Sequence, residues 1–428
     1  MKRKWDFGGA SVFIYFAIFL VLLGLFFTND FGLVDIHKTA IITAVGIDTE
    51  DGEVIVTGEL VAPQPSQSGE NIRYTQVQGS GLTIADALNE INAKTGFYPK
   101  LQFCHLILVG ESCKERELFS LLACFYRKNF SELTALVAAC EGKAADMLAL
   151  KSEVEDSTSE AIIKVLSDEI KKSANANPMN LKEIAMTNYS KSAACYMPYV
   201  EANEQGTSEN GGNGENIGGS GGNQGGSSGS SNNGSSGGGG ESGGSQNGGS
   251  SGAEGGSTEK TMEFTARKTA IYSEGKFKGI LDERQSFALS AIKNDIRLAV
   301  LPCDADGVHY TLGMKNVKSD VKLKVNGGIP ELTVNFKSKA QINGARKHLD
   351  PQQIVFDDVV SDSVLQGAEE ALKTRFSDLI ETCRQTDCDI LGIKEQLYKY
   401  NNKYYEAFKD DILTRMNVRF EVEVSSVS

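Results

Sequence analysis

The chain has no C-x-x-C pair, and its eight cysteines (Cys104, Cys113, Cys124, Cys140, Cys195, Cys303, Cys383 and Cys388) are scattered through apolar segments. A structural zinc site or a small disulfide framework needs paired spacing, so neither is expected, and most of these thiols read as small buried hydrophobes. An oxidising exterior would permit a disulfide or two, although Cys383 and Cys388, the nearest pair, do not share a helix face. Histidine is scarce. His37, His105, His309 and His348 lie far apart, and His105, in an apolar strand, reads as a satisfied core residue. Positive charge is also short: 43 Lys and Arg against 56 Asp and Glu give a net charge of −13, which argues against a nucleic-acid partner.

Catalytic signatures are missing as well. There is no G-x-x-x-x-G-K-[ST], no H-E-x-x-H and no G-x-S-x-G. Gly110-Glu111-Ser112-Cys113 lacks the second glycine of a nucleophile elbow. Ser273 and Lys276 have the spacing of a Ser-Lys pair but fall in a hairpin turn. The paired carboxylates Asp357/Asp358 and Asp410/Asp411 read as solvated faces. No enzymatic activity, cofactor or metal is therefore expected.

The longest void is Asn203–Glu259, which has no aromatic residue and only Ile217 as a large aliphatic. Such a segment cannot offset the cost of ordering its backbone and is expected to be disordered. As a flexible Gly/Ser coil it would span on the order of 40 Å. Two readings stand: a low-complexity insertion in a surface loop, or a spacer between two working parts.

Ser11–Phe27 is uncharged and apolar. Extended back to Phe7, it approaches the length of a spanning helix. Lys2, Arg3 and Lys4 precede it, which places the N-terminus in the cytoplasm and the bulk of the chain outside. An uncleaved anchor is favoured over a cleaved signal peptide, because TNDFGLVD offers no good cleavage site. No cysteine follows the run that could carry a lipid.

Downstream, apolar β-branched runs predict strands at Thr39–Asp48, Glu53–Ala62, Asn71–Ser80, Leu101–Gly110, Leu133–Cys140 and Ala193–Val200. Helical patterns fall at Thr83–Ala93, Glu115–Arg127, Lys143–Leu150, Ser159–Lys172 and Leu181–Tyr189. Past the low-complexity segment, strands are predicted at Met262–Ser273, Lys276–Leu281, Ile296–Pro302, Val308–Leu312, Val317–Val325 and Glu331–Ile342. Helices then follow at Glu283–Lys293, Ser363–Gln385 and Ile390–Asp411, and Val418–Val424 is a last strand. In the aromatic cluster near the C-terminus, Tyr404 and Phe408 are four apart and read as core. Tyr400 and Tyr405 are left as candidates for partner contact. The fold class is α+β: several domains with mixed and antiparallel sheets flanked by helices, behind one N-terminal transmembrane helix.

The order of these features resembles the spore germination protein C (GerAC) family. The resemblance runs through the strand ending Gly46-Ile47-Asp48, then ELVAPQP (Glu59–Pro65), GLTIADALNE (Gly81–Glu90), FCHLILVGE (Phe103–Glu111) and GKAADML (Gly142–Leu148). It continues in AIYSEGKFKGILDE (Ala270–Glu283) and CDILGIKEQLY (Cys388–Tyr398), the last being the family's most recognisable segment. Each motif alone is weak; seven in the right order are strong. In the family a lipidated Cys followed by Trp-Asp opens the mature chain. Here Asp30, Phe31 and Gly32 take those places, with Asp35 in the acidic position, so the anchor is expected to be the helix.

The resemblance implies a non-enzymatic subunit of a nutrient germinant receptor, on the outer face of the spore inner membrane, assembled with A-type and B-type receptor subunits. A small-molecule nutrient would reach this chain through the complex. A membrane-tethered solute-binding protein is the alternative, and a tethered cell-wall hydrolase a third reading. The expected domains are the anchor 1–30, a GerAC-like domain 31–202, the linker 203–260, a middle antiparallel-sheet domain 261–345 and a helix-rich domain 346–428. The candidate interaction surface is Gly46, Asp48, Asp389, Gly392, Tyr400 and Tyr405. The competing reading is that Gly46 and Gly392 simply terminate elements.

Overall fold

The computed structural model describes residues 7–28, 39–66, 69–127, 131–152, 154–204, 261–293, 296–347 and 360–427. Asn203 and Glu204, expected to open the disordered segment, are strand; the rest of that segment lies outside these residues, as do Asp30, Asp35, His37, His348, Asp357 and Asp358.

Helix α1 (Phe7–Thr28) is a 22-residue helix without a charged side chain. Its described side chains, 12–24, are exposed. The stretch of α1 whose side chains are described, 12–24, is about 20 Å long, too short by itself to cross a membrane, and no other helix among the described residues is long and apolar enough.

The first sheet begins with β1 (Thr39–Glu50), β2 (Glu53–Ser66) and β3 (Gly69–Gly81), an antiparallel meander. Helix α2 (Ile84–Thr95) returns across it. Thr83 and Asp86 form its capping box, and Gly96 closes it in the left-handed conformation. Then come β4 (Tyr98–Lys100), β5 (Leu106–Val109), α3 (Leu118–Leu122), β6 (Leu136–Cys140), α4 (Ala144–Ala149), β7 (Lys151–Ser152), α5 (Thr158–Val165), α6 (Asp168–Lys172), β8 (Met179–Asn180), α7 (Leu181–Asn188) and β9 (Ala194–Glu204). After the low-complexity segment, β10 (Thr261–Ser273) and β11 (Lys276–Leu281) follow. The sheet runs β11-β10-β9-β6-β5-β1-β2-β3. Its middle is parallel, from β1 through β5 and β6 to β9, with antiparallel hairpins at both edges. Both faces are covered. Ile42, Ile47, Phe125 and Ile184 belong to the core under α2, α3 and α7; Leu106, Leu148, Ile162 and Val200 belong to the core under α4 and α5.

The second sheet is β12 (Leu298–Ala305), β13 (Val308–Asn326), β14 (Ile329–Lys347) and β15 (Asn417–Ser426), in that order. One face is packed by α8 (Glu283–Ile292) and α9 (Asp362–Thr386). Phe336 of the sheet meets Phe376 of α9 edge-on at 5.5 Å between centroids. Helices α10 (Ile393–Tyr400), α11 (Tyr405–Phe408) and α12 (Ile412–Arg415) follow α9.

Several expectations are corrected. Strands β10 and β11 do not open a middle domain; they finish the first sheet, because β10 pairs with β9 from Ser273↔Ala194 to Met262↔Glu204. The rest of the expected 261–345 domain shares its sheet with β15 and its core with α9, so no boundary falls at 345. Val308–Leu312 and Val317–Val325 are one strand, continuous through a bulge. Ile390–Asp411 is broken by a 3-10 turn at Asn402–Tyr404. Glu115–Arg127 keeps only the five-residue α3, and Ser159–Lys172 divides into α5 and α6. The expected last strand joins this sheet as β15, parallel to β14. His105 is exposed, held by its backbone: its N–H donates to Thr43 O (2.9 Å) and its carbonyl accepts from Leu136 N (2.8 Å).

Candidate functional site

The Cys388–Gly392 segment lies at the joint between the two sheets. Helix α9 ends at Asp387, a non-glycine in the left-handed region (φ 46). Cys388 then turns inward and its Sγ donates to Tyr272 O of β10 at 3.3 Å. Burial pushes the Cys388 thiol well above its ordinary value. All eight cysteines are free thiols, so the allowed disulfides are not formed.

Asp389 is only 2% exposed. Its Oδ1 accepts from Ile393 N (2.8 Å) and its Oδ2 from Lys394 N (2.7 Å), the first two amides of α10. Its third donor comes from the other sheet: Ser192 Oγ, in the loop between α7 and β9, donates to Oδ2 at 2.6 Å. The same hydroxyl accepts from Glu395 N (3.3 Å), and Lys191 N donates to Glu395 Oε2 (2.7 Å). Burial raises the Asp389 carboxyl above its ordinary value, against the lowering effect of the three hydrogen bonds. The Lys191 amide lowers that of Glu395. The carboxylate is thus a helix cap and a cross-sheet latch at once.

Gly392 supplies the turn into α10, with φ 78 and ψ 32. A Cβ there would meet nothing within 4 Å, so its cost is backbone strain alone. Gly392→Ala is expected to lower stability by about 1–2 kcal/mol, read as a lower urea midpoint with an unchanged slope.

Asp48 repeats this pattern at the other end of the first sheet. It too is 2% exposed, and accepts from Ala144 N and Ala145 N (3.0 Å each) at the start of α4 and from Ser112 Oγ (3.3 Å). Gly46 and Gly110 make room for the approach. A Cβ on Gly46 would lie 3.1 Å from Ala144 Cβ, and one on Gly110 would lie 2.0 Å from Asp48 Oδ1.

Three of the six residues offered as an interaction surface are therefore corrected by their burial. Gly46 and Asp48 are buried. Asp389 is buried too, and Gly392 is a half-buried turn, because two helix starts need their amides satisfied where solvent does not reach. Tyr400 is 79% exposed. Tyr405 is half-buried, edge-on to Tyr398 at 5.2 Å. Ser273 and Lys276 flank the β10–β11 turn, and Ser273 Oγ donates to Asp387 O (3.2 Å), not to a lysine.

Sequence reasoning missed Ser192 and Lys191, whose only signal is a polar loop 197 residues away in sequence from Asp389. It also missed the role of Glu59, buried with Ser157 Oγ (2.6 Å) and Ser159 Oγ (2.7 Å) donating to Oε1.

Beside the latch is an open groove of about 820 Å³, walled by Met186 and Tyr189 of the α7 segment, Tyr196 of β9 and Glu395 and Lys399 of α10. Glu395 and Lys399 pair at 3.1 Å, and the Lys191 ammonium lies 4.8 Å from the Tyr398 ring centroid. Among the described residues no group of three or more His, Cys, Asp or Glu could hold a metal ion.

Two family models match the chain. "Spore germination protein N-terminal domain" covers residues 33–202, and "Spore germination B3/GerAC like, C-terminal" covers residues 267–427. A solved structure described as "Crystal Structure of the GerBC protein" matches with a TM-score of 0.49 and 13% identity, over 90% of this chain and 97% of that one. No curated protein matches the chain. With its two domain models matched in order on either side of the low-complexity segment, the chain belongs to the GerAC family of spore germination proteins, the C subunits of germinant receptors.

Proposed function

We propose that this C subunit is a non-enzymatic part of a nutrient germinant receptor, held in the spore inner membrane by α1 with its folded sheets on the outer face. There it acts in receptor assembly and germination signalling. The observation that carries the reading is position: a 22-residue helix without a charge stands ahead of the two matched GerAC domains. The whole helix is about 33 Å long, against a hydrocarbon core of about 30 Å. Lys2, Arg3 and Lys4 ahead of it favour a cytoplasmic N-terminus. Its partners on this reading are multi-span A-type and B-type receptor subunits, with Tyr400 a contact residue beside Tyr398.

Affinity capture of the full chain from spore membranes should recover two multi-span proteins, and a deletion strain should fail to germinate in at least one nutrient. Unchanged germination in every nutrient, with no membrane partner captured, would reject the proposal. The groove beside Asp389 favours one second reading, a tethered solute-binding protein. A melting temperature raised by one amino acid or sugar would support it.

A further inference from the structure

The outer face of the second sheet, opposite α8 and α9, carries an arrangement that folding alone disfavours. Lys315 of β13 stands directly across from Lys339 of β14, and on the next rung Lys318 stands across from Lys337. Like charges directly opposite on an antiparallel pair destabilise it. The arrangement also depends on a bulge. Residues 315 and 318 are three apart and would face opposite sides of a regular strand. Between these two rungs β13 advances three residues while β14 advances two, with Asn316 in the left-handed region (φ 52), and both lysines emerge on the same side. Val317 inside the bulge is buried.

Two of the four lysines have partners on the protein. Lys337 pairs with Glu423, and Lys315 donates to Gln341 Oε1 at 2.7 Å. Lys318 and Lys339 have no ion pair among the described residues. Next to this quartet, on the edge strand β12, Leu298 pairs across from Lys315 and is 60% exposed, and Val300 is 54% exposed. A lysine cluster edged by exposed aliphatics, with Glu423 and Asp320 as its acidic neighbours, on a chain of net charge −13, fits an anionic surface with an apolar layer beneath it.

We infer that the Lys315–Lys318–Lys337–Lys339 face of the second sheet docks on the headgroups of an anionic phospholipid bilayer, with Leu298 and Val300 at the interface. The inference rests on the proposed membrane attachment, because a tethered chain meets the bilayer at high effective concentration.

The test uses the full chain reconstituted in vesicles of neutral phosphatidylcholine, with or without phosphatidylglycerol, and reads the rate of lysine acetylation by mass spectrometry. Flotation with the neutral vesicles reports the α1 anchor separately. Each basic residue near an anionic surface strengthens binding about fivefold, so Lys318 and Lys339 should label at least fivefold more slowly with the anionic lipid. High salt should remove the protection. In Lys318→Glu/Lys339→Glu the remaining Lys315 should lose its lipid dependence, while the melting temperature stays the same or rises as the like-charge rungs become mixed. Equal labelling in both vesicle types, or lipid dependence retained in the double variant, would overturn the inference. Protection by soluble polyglutamate but not by vesicles would also overturn it, and would assign the face to an acidic protein.

Discussion

Asp389→Ala is expected to lower the unfolding free energy by about 3 kcal/mol. The substitution removes the acceptor for three donors at once: the amides of Ile393 and Lys394 and the hydroxyl of Ser192. A lost helix cap alone costs about 1 kcal/mol, and each buried donor left unsatisfied about 1–3 kcal/mol, partly recovered where water enters from the neighbouring groove. Urea denaturation measures the total. Because Ser192 ties the first sheet to α10, the loss should also show as faster amide exchange in α10 and in the α7–β9 loop together; a change confined to α10 would refute the latch.

The pH dependence follows from the raised carboxyl of Asp389. A carboxyl with a higher pKa folded than unfolded holds its proton more tightly in the folded state. Its contribution to stability therefore grows as the pH falls through the folded pKa, and levels off below the unfolded value near about 3.9. Asp389→Asn removes that titration. The stability of wild type relative to Asp389→Asn should rise on acidification through this window and be constant above it; a relative stability that falls on acidification would contradict the assignment.

Replacing residues 205–260 with a turn of about four residues is expected to stabilise the protein by about 2 kcal/mol and to leave germination function intact. Strand β9 ends at Glu204 and β10 begins at Thr261, and Glu204 pairs across from Met262. The segment therefore closes a hairpin; it does not separate two bodies. Each halving of a flexible loop lowers the closure cost by about 0.6 kcal/mol, and the replacement amounts to nearly four halvings. A higher urea midpoint with an unchanged slope would meet the expectation. A shortened chain that folds but no longer supports germination would make the segment a working spacer.

Local signals in the sequence were sufficient where the chemistry is local. The Thr83–Asp86 capping box, the Glu274-Gly275 hairpin turn and the apolar periodicity of Asp362–Thr386 all depend on residues within a few positions of each other. Asp389, Gly392, Gly46 and Asp48, which lie in the family motifs, serve helix starts and close backbone approaches in this fold. The exposure of Asp48 and Asp389 was misjudged because polarity alone does not distinguish a partner-facing aspartate from one that caps a buried helix.

The succession of motifs from Gly46-Ile47-Asp48 to Cys388–Tyr398 carried the family resemblance, and the order of strand and helix patterns the α+β class, from sequence alone. Only the tertiary structure decided that β10 and β11 complete the first sheet, that Ser192 reaches Asp389, and that a bulge turns Lys315 and Lys318 to one side. Strand pairing and cross-sheet hydrogen bonds join residues far apart in sequence. Their partners are fixed by register and packing, which leave no periodic trace in either segment by itself.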